Sequence, residues 1–218
     1  MRPSAQRSPE SVKAASAVLD AAAKVFARQG YDETSIDDIA DELGATKGRV
    51  YHYFRTKADL LLGVQISGTG ALVETARNLA EDDTLGATER LFQMARAHAM
   101  AMMTDHSYQF VSLQIAHDRS RNAPGANDPA WGQVLELRRE YQDLFEKVLQ
   151  AGRASGEFTV TDPRLTMRGI LGALNWITVW YDPDASAADN RRGVDQIADT
   201  MAAFVVSGAG GNTEGLVS

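Results

Sequence analysis

Apolar residues recur every three or four positions along most of the chain, a period that predicts helices. Val12, Ala15, Leu19, Ala22 and Phe26 form one face of a first helix. That helix begins near Ser8-Pro9 or Ser11, and Gly30 stops it. Thr34-Ser-Ile-Asp37 reads as a capping box that opens a short second helix. Its inward positions are Ile36, Ile39, Ala40 and Leu43, and Gly44 closes it. A third helix runs from Thr46 to about His52. Thr56-Lys-Ala-Asp59 is another capping box and opens a fourth helix, with Leu60, Leu61 and Val64 on its buried side.

Longer helices follow. One covers about 86–104, with Leu91, Met94, Ala95, His98 and Met102 on one stripe, and another covers about 107–118. Asn122 to Pro129 reads as a loop. Asp128-Pro129 then places a cap before a proline at the first helical position, and that helix continues to about Ala154, with Gly156 as its stop. Asp162-Pro163 repeats the start signal for a helix expected to end at Asp182-Pro183. Ser186-Ala-Ala-Asp189 caps the last one. The Gly-rich tail from Ser207 is expected to fray. Neither an internal repeat nor a strand alternation is visible. The fold class is all-α, with a small domain over 8–55, a larger helical domain over 56–206 and a flexible tail over 207–218.

The chain has 218 residues, 44% of them hydrophobic, which is enough for a sizeable core. It has no cysteine, so disulfides and thiolate metal sites are excluded, as fits a reducing cytoplasm. The first ten residues lack the apolar core of a secretory signal, and no uninterrupted apolar run reaches the ~18 residues of a membrane span. The net charge of −7 argues against a generally basic nucleic-acid binder. Its distribution changes that picture. Residues 1–60 carry nine basic and nine acidic side chains, whereas 61–218 carry 13 and 20. Between Ala45 and Ala58 lie Lys47, Arg49, His52, Arg55 and Lys57, with no acid. A local basic strip on an acidic protein suits a localised DNA contact, or a solvated basic turn.

The short second and third helices are joined by Gly44-Ala45-Thr46, the outline of a helix-turn-helix. In such a unit the second helix enters the major groove, polar side outward. Lys47, Arg49 and His52 can point out while Val50 and Phe54 point in. Gly48 would let the backbone approach DNA closely. Thr34 and Thr46 sit where helix N-termini offer backbone N–H groups to phosphates. Tyr51 and Lys57 are further phosphate candidates. An ordinary capped helical hairpin has the same spacing.

Thr34-Ser-Ile-Asp-Asp-Ile-Ala-Asp-Glu-Leu-Gly44, then Ala-Thr-Lys-Gly-Arg-Val-Tyr-His-Tyr-Phe54 and Lys57-Ala-Asp-Leu60, closely resembles the DNA-binding domain of the tetracycline-repressor (TetR) family. Ala22-Ala-Lys-Val-Phe-Ala-Arg-Gln-Gly-Tyr31 matches the family's first helix, so the resemblance covers about residues 12–62. It implies a homodimer joined through its last two helices, a palindromic operator in double-stranded DNA and release by a small effector. The contact set it implies is Thr34, Ser35, Thr46, Lys47, Gly48, Arg49, Tyr51, His52 and Lys57, with 46–52 reading bases and Lys57 touching phosphate. Arg49 departs from the small residue common at its position. Arg2 and Arg7 could form an arm toward neighbouring DNA, or a disordered start.

The body is less explicit. The helix containing Gly169, Gly172 and Trp176 is apolar nearly all round, which fits burial on several sides, in a core or against a second copy. Leu91, Met94, Met102, Met103, Phe110, Trp131, Asn175 and Trp176 are candidates to line an effector pocket, or plain core. Asn175 is the pointed one, because an amide in an apolar helix needs a partner. Asn-Trp-Ile-Thr-Val-Trp-Tyr-Asp-Pro183 resembles the acyl-CoA-responsive branch of the family, which implies a long acyl or acyl-CoA effector. Arg168 is placed to face a CoA phosphate or a surface partner. Gly68 and Gly70, inside the fourth helix, mark either a compliant segment or a close contact. No cofactor is expected, and no catalytic motif appears. His98, His106 and His117 lack the one-turn spacing of a metal pair. The competing reading is a helical ligand-binding protein or enzyme without DNA binding.

Overall fold

The computed structural model describes residues 8–117, 129–185 and 193–216, and among them every regular element is a helix. α1 (Pro9–Gln29) is capped by Ser8, whose Oγ accepts from the Ser11 N–H at 3.3 Å, and ends at Gly30, with φ of 83°. α2 (Ile36–Leu43) and α3 (Lys47–Tyr53) follow. α4 (Lys57–Ala80) carries the predicted Thr56/Asp59 capping box. α5 (Ala87–Thr104), α6 (His106–His117), α7 (Pro129–Ser155), α8 (Pro163–Asn175), α9 (Ile177–Trp180) and α10 (Val194–Gly208) form the body. No described helix is long and apolar enough to cross a membrane.

There are two cores, and α4 belongs to both. Phe26, Ile39, Val50, Leu60, Leu61 and Val64, none more than 1% exposed, join α1 to α4. One end of α4 is therefore fixed by the apolar faces that the sequence period marks. Its other end places Val73, Ala76 and Ala80 in the larger core of α5, α7, α8 and α10. α6 lies between the cores, with Val111 buried in the first. The ends of the body are tied by charge. Arg96 of α5 pairs with Asp195 and Asp199 of α10, both at 2.6 Å. The Glu157 carboxylate accepts from the Ala87 and Thr88 N–H groups and so caps α5 from a distance. Those bonds hold its pKa below the usual range.

Three details differ from the sequence expectation. The capping box of α2 is Ser35/Asp38, not Thr34/Asp37. Thr34 is buried and its hydroxyl donates to the Gly30 carbonyl at 2.6 Å, which leaves the capping position to Ser35. The helix expected to run unbroken to Asp182 is interrupted at Trp176. The Thr178 hydroxyl donates to the Asn175 carbonyl at 2.8 Å, a local bond of the kind that competes with the helical ladder. The chain beyond Ser207 does not simply fray. Ala209 is buried, its carbonyl accepts from the Thr159 N–H at 3.1 Å, and Leu216 packs on the larger core. The Ser186–Asp189 cap, the greater part of the 122–129 loop, Arg2 and Arg7 lie outside the described residues.

Candidate nucleic-acid interface and effector groove

The turn between α2 and α3 depends on Gly44, which sits in the left-handed region at φ 64° and donates its N–H to the Asp41 carbonyl at 3.0 Å. Gly pays no Cβ penalty there. The turn delivers α3 with Val50 fully buried and Lys47, Gly48, Arg49, Tyr51 and His52 exposed. A seven-residue helix anchored by so little apolar surface needs α1 and α2 beneath it. Nothing inside the protein demands glycine at position 48, because an added Cβ would meet only Thr46 Oγ1, at 3.7 Å. Thr46 holds the N-cap position of α3 but makes no side-chain capping bond, so the first N–H groups of α3 have no capping side chain.

The basic side chains differ in freedom. Lys47 pairs with Asp37 of α2 at 2.5 Å, and both side chains are more than half exposed. Such a pair is worth ~0.2–1 kcal/mol and yields easily to a phosphate. Arg49 is fully on the surface, and His52 sits edge-on against Tyr53. Lys57 is turned inward. Its ammonium donates to the carbonyls of Tyr31, Asp32 and Thr34 at 2.7, 3.1 and 2.8 Å and lies 4.5 Å from the Tyr31 ring centroid. All three of its donors are thereby used. Lys57→Met is expected to cost about 2 kcal/mol of stability, since charged hydrogen bonds contribute ~1.5–3 kcal/mol. Operator binding should weaken with an unchanged salt slope. Measurement across salt concentrations checks this, because loss of a phosphate contact would flatten the slope by ~0.9.

The body holds an apolar groove of about 430 Å³ between α6 and the α8–α9 break. Phe110, Leu113 and Gln114 line one side, and Gly172, Asn175, Trp176 and Val179 the other. Phe110, Asn175 and Trp176 from the sequence candidates therefore meet. The other candidates are elsewhere. Leu91 and Met102 are closed core, at 0% and 1% exposure. Met94 borders a small internal void of about 70 Å³ beside His98 and Tyr141. Met103 borders a wider cleft between α1 and the body. Trp131 packs on the N-terminal core. Arg168 is on the surface of α8.

Asn175 is more than a groove wall. Its Oδ1 lies 3.1 Å from His98 Nε2, and His98 Nδ1 lies 2.7 Å from the Tyr141 hydroxyl. With Oδ1 accepting, Nε2 carries the imidazole proton and Nδ1 accepts from Tyr141. Burial lowers the His98 pKa to about 4, so the ring is neutral near pH 7. His106 is engaged separately, 3.1 Å from the Thr178 carbonyl. Sequence periodicity places His98 on the inward face of its helix but gives no sign of Tyr141, 43 positions away. Gln114 had an available signal, one helical turn beyond Phe110.

α6 connects groove and DNA-binding domain. The Tyr108 hydroxyl donates to Asp20 of α1 at 2.8 Å, and Gln109 donates to the Gly68 carbonyl of α4 at 3.5 Å. Gly68 is a close contact: a Cβ there would stand 3.3 Å from Tyr108 Cβ. Gly70 has open space around it.

Comparison with known proteins agrees with this anatomy. Residues 18–64 match the family described as bacterial regulatory proteins, tetR family, and residues 84–209 match the tetracyclin repressor-like C-terminal domain. The HTH-type transcriptional repressor KstR2 of Rhodococcus jostii (strain RHA1) is 28% identical over 193 residues, covering 88% of each chain. The fatty acid metabolism regulator protein of Bacillus subtilis (strain 168) is 26% identical over 172 residues, covering 77% of this chain and 83% of its own. The solved structure of AibR in complex with isovaleryl coenzyme A and operator DNA superposes with a TM-score of 0.70 at 23% identity, over 88% of this chain and 97% of that one. An exposed basic recognition helix on a capped helix-turn-helix, a helical body with an apolar groove, and both family matches lead to one conclusion: the chain belongs to the TetR family and is a DNA-binding transcriptional regulator.

Proposed function

We propose that the protein is a dimeric repressor that leaves a palindromic operator when an acyl-bearing ligand enters the α6–α8–α9 groove. The observation that carries this reading is the shared helix α6. One of its faces lines the groove and another is bonded to α1, which packs beneath α3, and to α4. A ligand that shifts α6 changes the placement of α3 through α1. The apolar lining suits an acyl chain, and the Asn175 amide, with its oxygen engaged by His98, has N–H donors for a carbonyl. The fatty acid regulator and the isovaleryl-CoA-bound AibR point to the same ligand class.

Pairing would use α8 and α10. Leu165 and Phe204 are 64% and 60% exposed, large apolar side chains left in water unless a second copy covers them. Gly169, one turn beyond Leu165 on α8, has open space around it, which permits close helix approach. Two copies joined there would set two α3 helices about 34–36 Å apart, one DNA turn. In this reading Arg49 and Lys47 contact bases, and Tyr51, Thr46 and the α2 and α3 N-termini contact phosphates.

The test is release of a fluorescent operator duplex by palmitoyl-CoA, with coenzyme A alone as control. Palmitoyl-CoA should release the duplex and coenzyme A should not. Phe110→Ala should raise the concentration needed by about tenfold, the effect of losing ~1.5 kcal/mol of apolar contact. Operator binding indifferent to acyl-CoA of any chain length would remove the acyl-ligand reading.

A further inference from the structure

Behind the groove wall stands a chain of three polar side chains from three helices. Tyr141 of α7, His98 of α5 and Asn175 at the end of α8 are linked in that order, by the 2.7 Å and 3.1 Å contacts described above. Tyr141 and His98 are buried, and the Phe145 ring packs 5.3 Å from that of Tyr141. Asn175 is only partly buried, and the helix breaks directly after it. Its backbone carbonyl is held by the Thr178 hydroxyl and its Oδ1 by His98. Its Nδ2 has no partner among the described residues and is not one of their sealed unpaired atoms, so it opens on the groove that Asn175 lines.

Two arrangements of protons fit this outline, because the two ends of an amide have the same shape. In the first, the Tyr141 hydroxyl donates to His98 Nδ1, Nε2–H donates to the Asn175 oxygen, and the amide turns its N–H groups to the groove. In the second, each link runs backwards. Nδ1–H donates to the tyrosine oxygen, the Asn175 amide donates to Nε2, and the Asn175 oxygen faces the groove. Burial keeps the His98 ring neutral near pH 7, with a single proton to place. The choice is made at the far end. Burial raises the Tyr141 pKa, so the phenol keeps its proton. The first arrangement bonds that proton. The second strands it, since the hydroxyl has no partner but His98 among the described residues. A stranded buried donor biases the balance about five- to hundredfold toward the first.

We infer that Tyr141 and His98 are positioning residues that lock the Asn175 amide with its N–H groups toward the α6–α8–α9 groove, and that the groove thereby selects aliphatic ligands bearing a carbonyl over those bearing a hydroxyl. The preference rests on the reading of the groove as the effector site; the lock does not. A ketone, ester or thioester oxygen accepts from Asn175 and has no hydrogen to place. An alcohol accepts as well, but its own hydrogen then meets no acceptor at Asn175.

Two measurements near pH 7 test this on the full chain. Heteronuclear NMR with isotopically labelled histidine reads which ring nitrogen of His98 carries the proton, with His98→Gln to assign the signals. Wild type should carry it on Nε2, and Tyr141→Phe should show a mixture of both tautomers. Calorimetric titration with 2-undecanone and 1-undecanol reads the preference. Comparing the ketone-to-alcohol affinity ratio between variant and wild type cancels the intrinsic difference between the probes. That ratio should fall by about fivefold or more in Tyr141→Phe. Asn175→Leu should lose the preference with both probes still bound. A proton on Nδ1 in wild type, or a ratio unchanged by Tyr141→Phe, would overturn the inference. Binding of neither probe would remove the groove reading and the preference with it, while the tautomer of the free protein still decides the lock.

Discussion

Arg49→Ala is expected to weaken operator binding by about 30-fold to about 10⁴-fold. An arginine bidentate to guanine discriminates by ~1–3 kcal/mol, and a two-fold complex loses it twice, ~2–6 kcal/mol in all. Each ~1.4 kcal/mol is a factor of ten. Arg49 is exposed on α3, next to the glycine that needs no space inside the protein, and Val50 behind it anchors the helix. The variant should fold normally, since no intramolecular contact is lost that stabilises α3. Its specificity should relax at one symmetric pair of base positions, while affinity for random duplex changes little. Fluorescence anisotropy on operator and on scrambled duplex separates the two effects. Equal losses on both duplexes would show that Arg49 contacts phosphate instead.

The second large effect concerns acid. His98 is fully buried with its pKa lowered to about 4 from 6.5, because burial disfavours the imidazolium. In the unfolded chain it titrates near 6.5. The unfolded state therefore binds more protons between pH 6.5 and 4, and stability must fall as pH drops through that window. At ~1.36 kcal/mol per unit, the loss is about 3 kcal/mol, complete below pH 4. Asp105 acts in the opposite sense. Its pKa is raised by burial and by Asp20, so its protonation favours the fold as pH falls. A comparison with His98→Gln, which cannot titrate, isolates the histidine. Urea unfolding at pH 6.5 and 4 should show wild type losing about 3 kcal/mol more than the variant. Parallel pH profiles would contradict the assignment. The same experiment touches function, because a protonated His98 would donate from both nitrogens and could no longer accept from Tyr141.

What the sequence made legible follows from the range of the interactions involved. The helix-turn-helix was readable because everything that defines it is local. Caps lie within three residues of their targets, Gly44 terminates its own helix, and Val50 declares its side by periodicity. The shift of the α2 cap by one residue is the kind of error this reading makes, since Thr34 and Ser35 are chemically equivalent candidates. The choice was decided by the Gly30 carbonyl, which is near in sequence but whose direction no pattern encodes. Lys57 shows longer-range bonds that no local pattern encodes. The family resemblance gives it to phosphate, whereas its ammonium finds three carbonyls 23 to 26 residues earlier.

The body was legible as helices and not as a site. Seven of the eight candidates are apolar residues at helical spacing, and period alone cannot separate a residue beside a cavity from one in closed core or on the surface. Leu91 and Phe110 look alike in sequence, yet one is sealed and the other borders the groove. Asn175 was identifiable because a polar group on an apolar helix demands a partner, and the partner was His98, 77 positions away.

The most direct test of the whole account is selection of duplexes from a random library by the wild-type protein, followed by sequencing. The account predicts an inverted repeat whose half-sites are centred about one helical turn, 10–10.5 base pairs, apart. Enrichment of a single unrepeated element, or no enrichment at all, would contradict the pairing of two α3 helices on one operator.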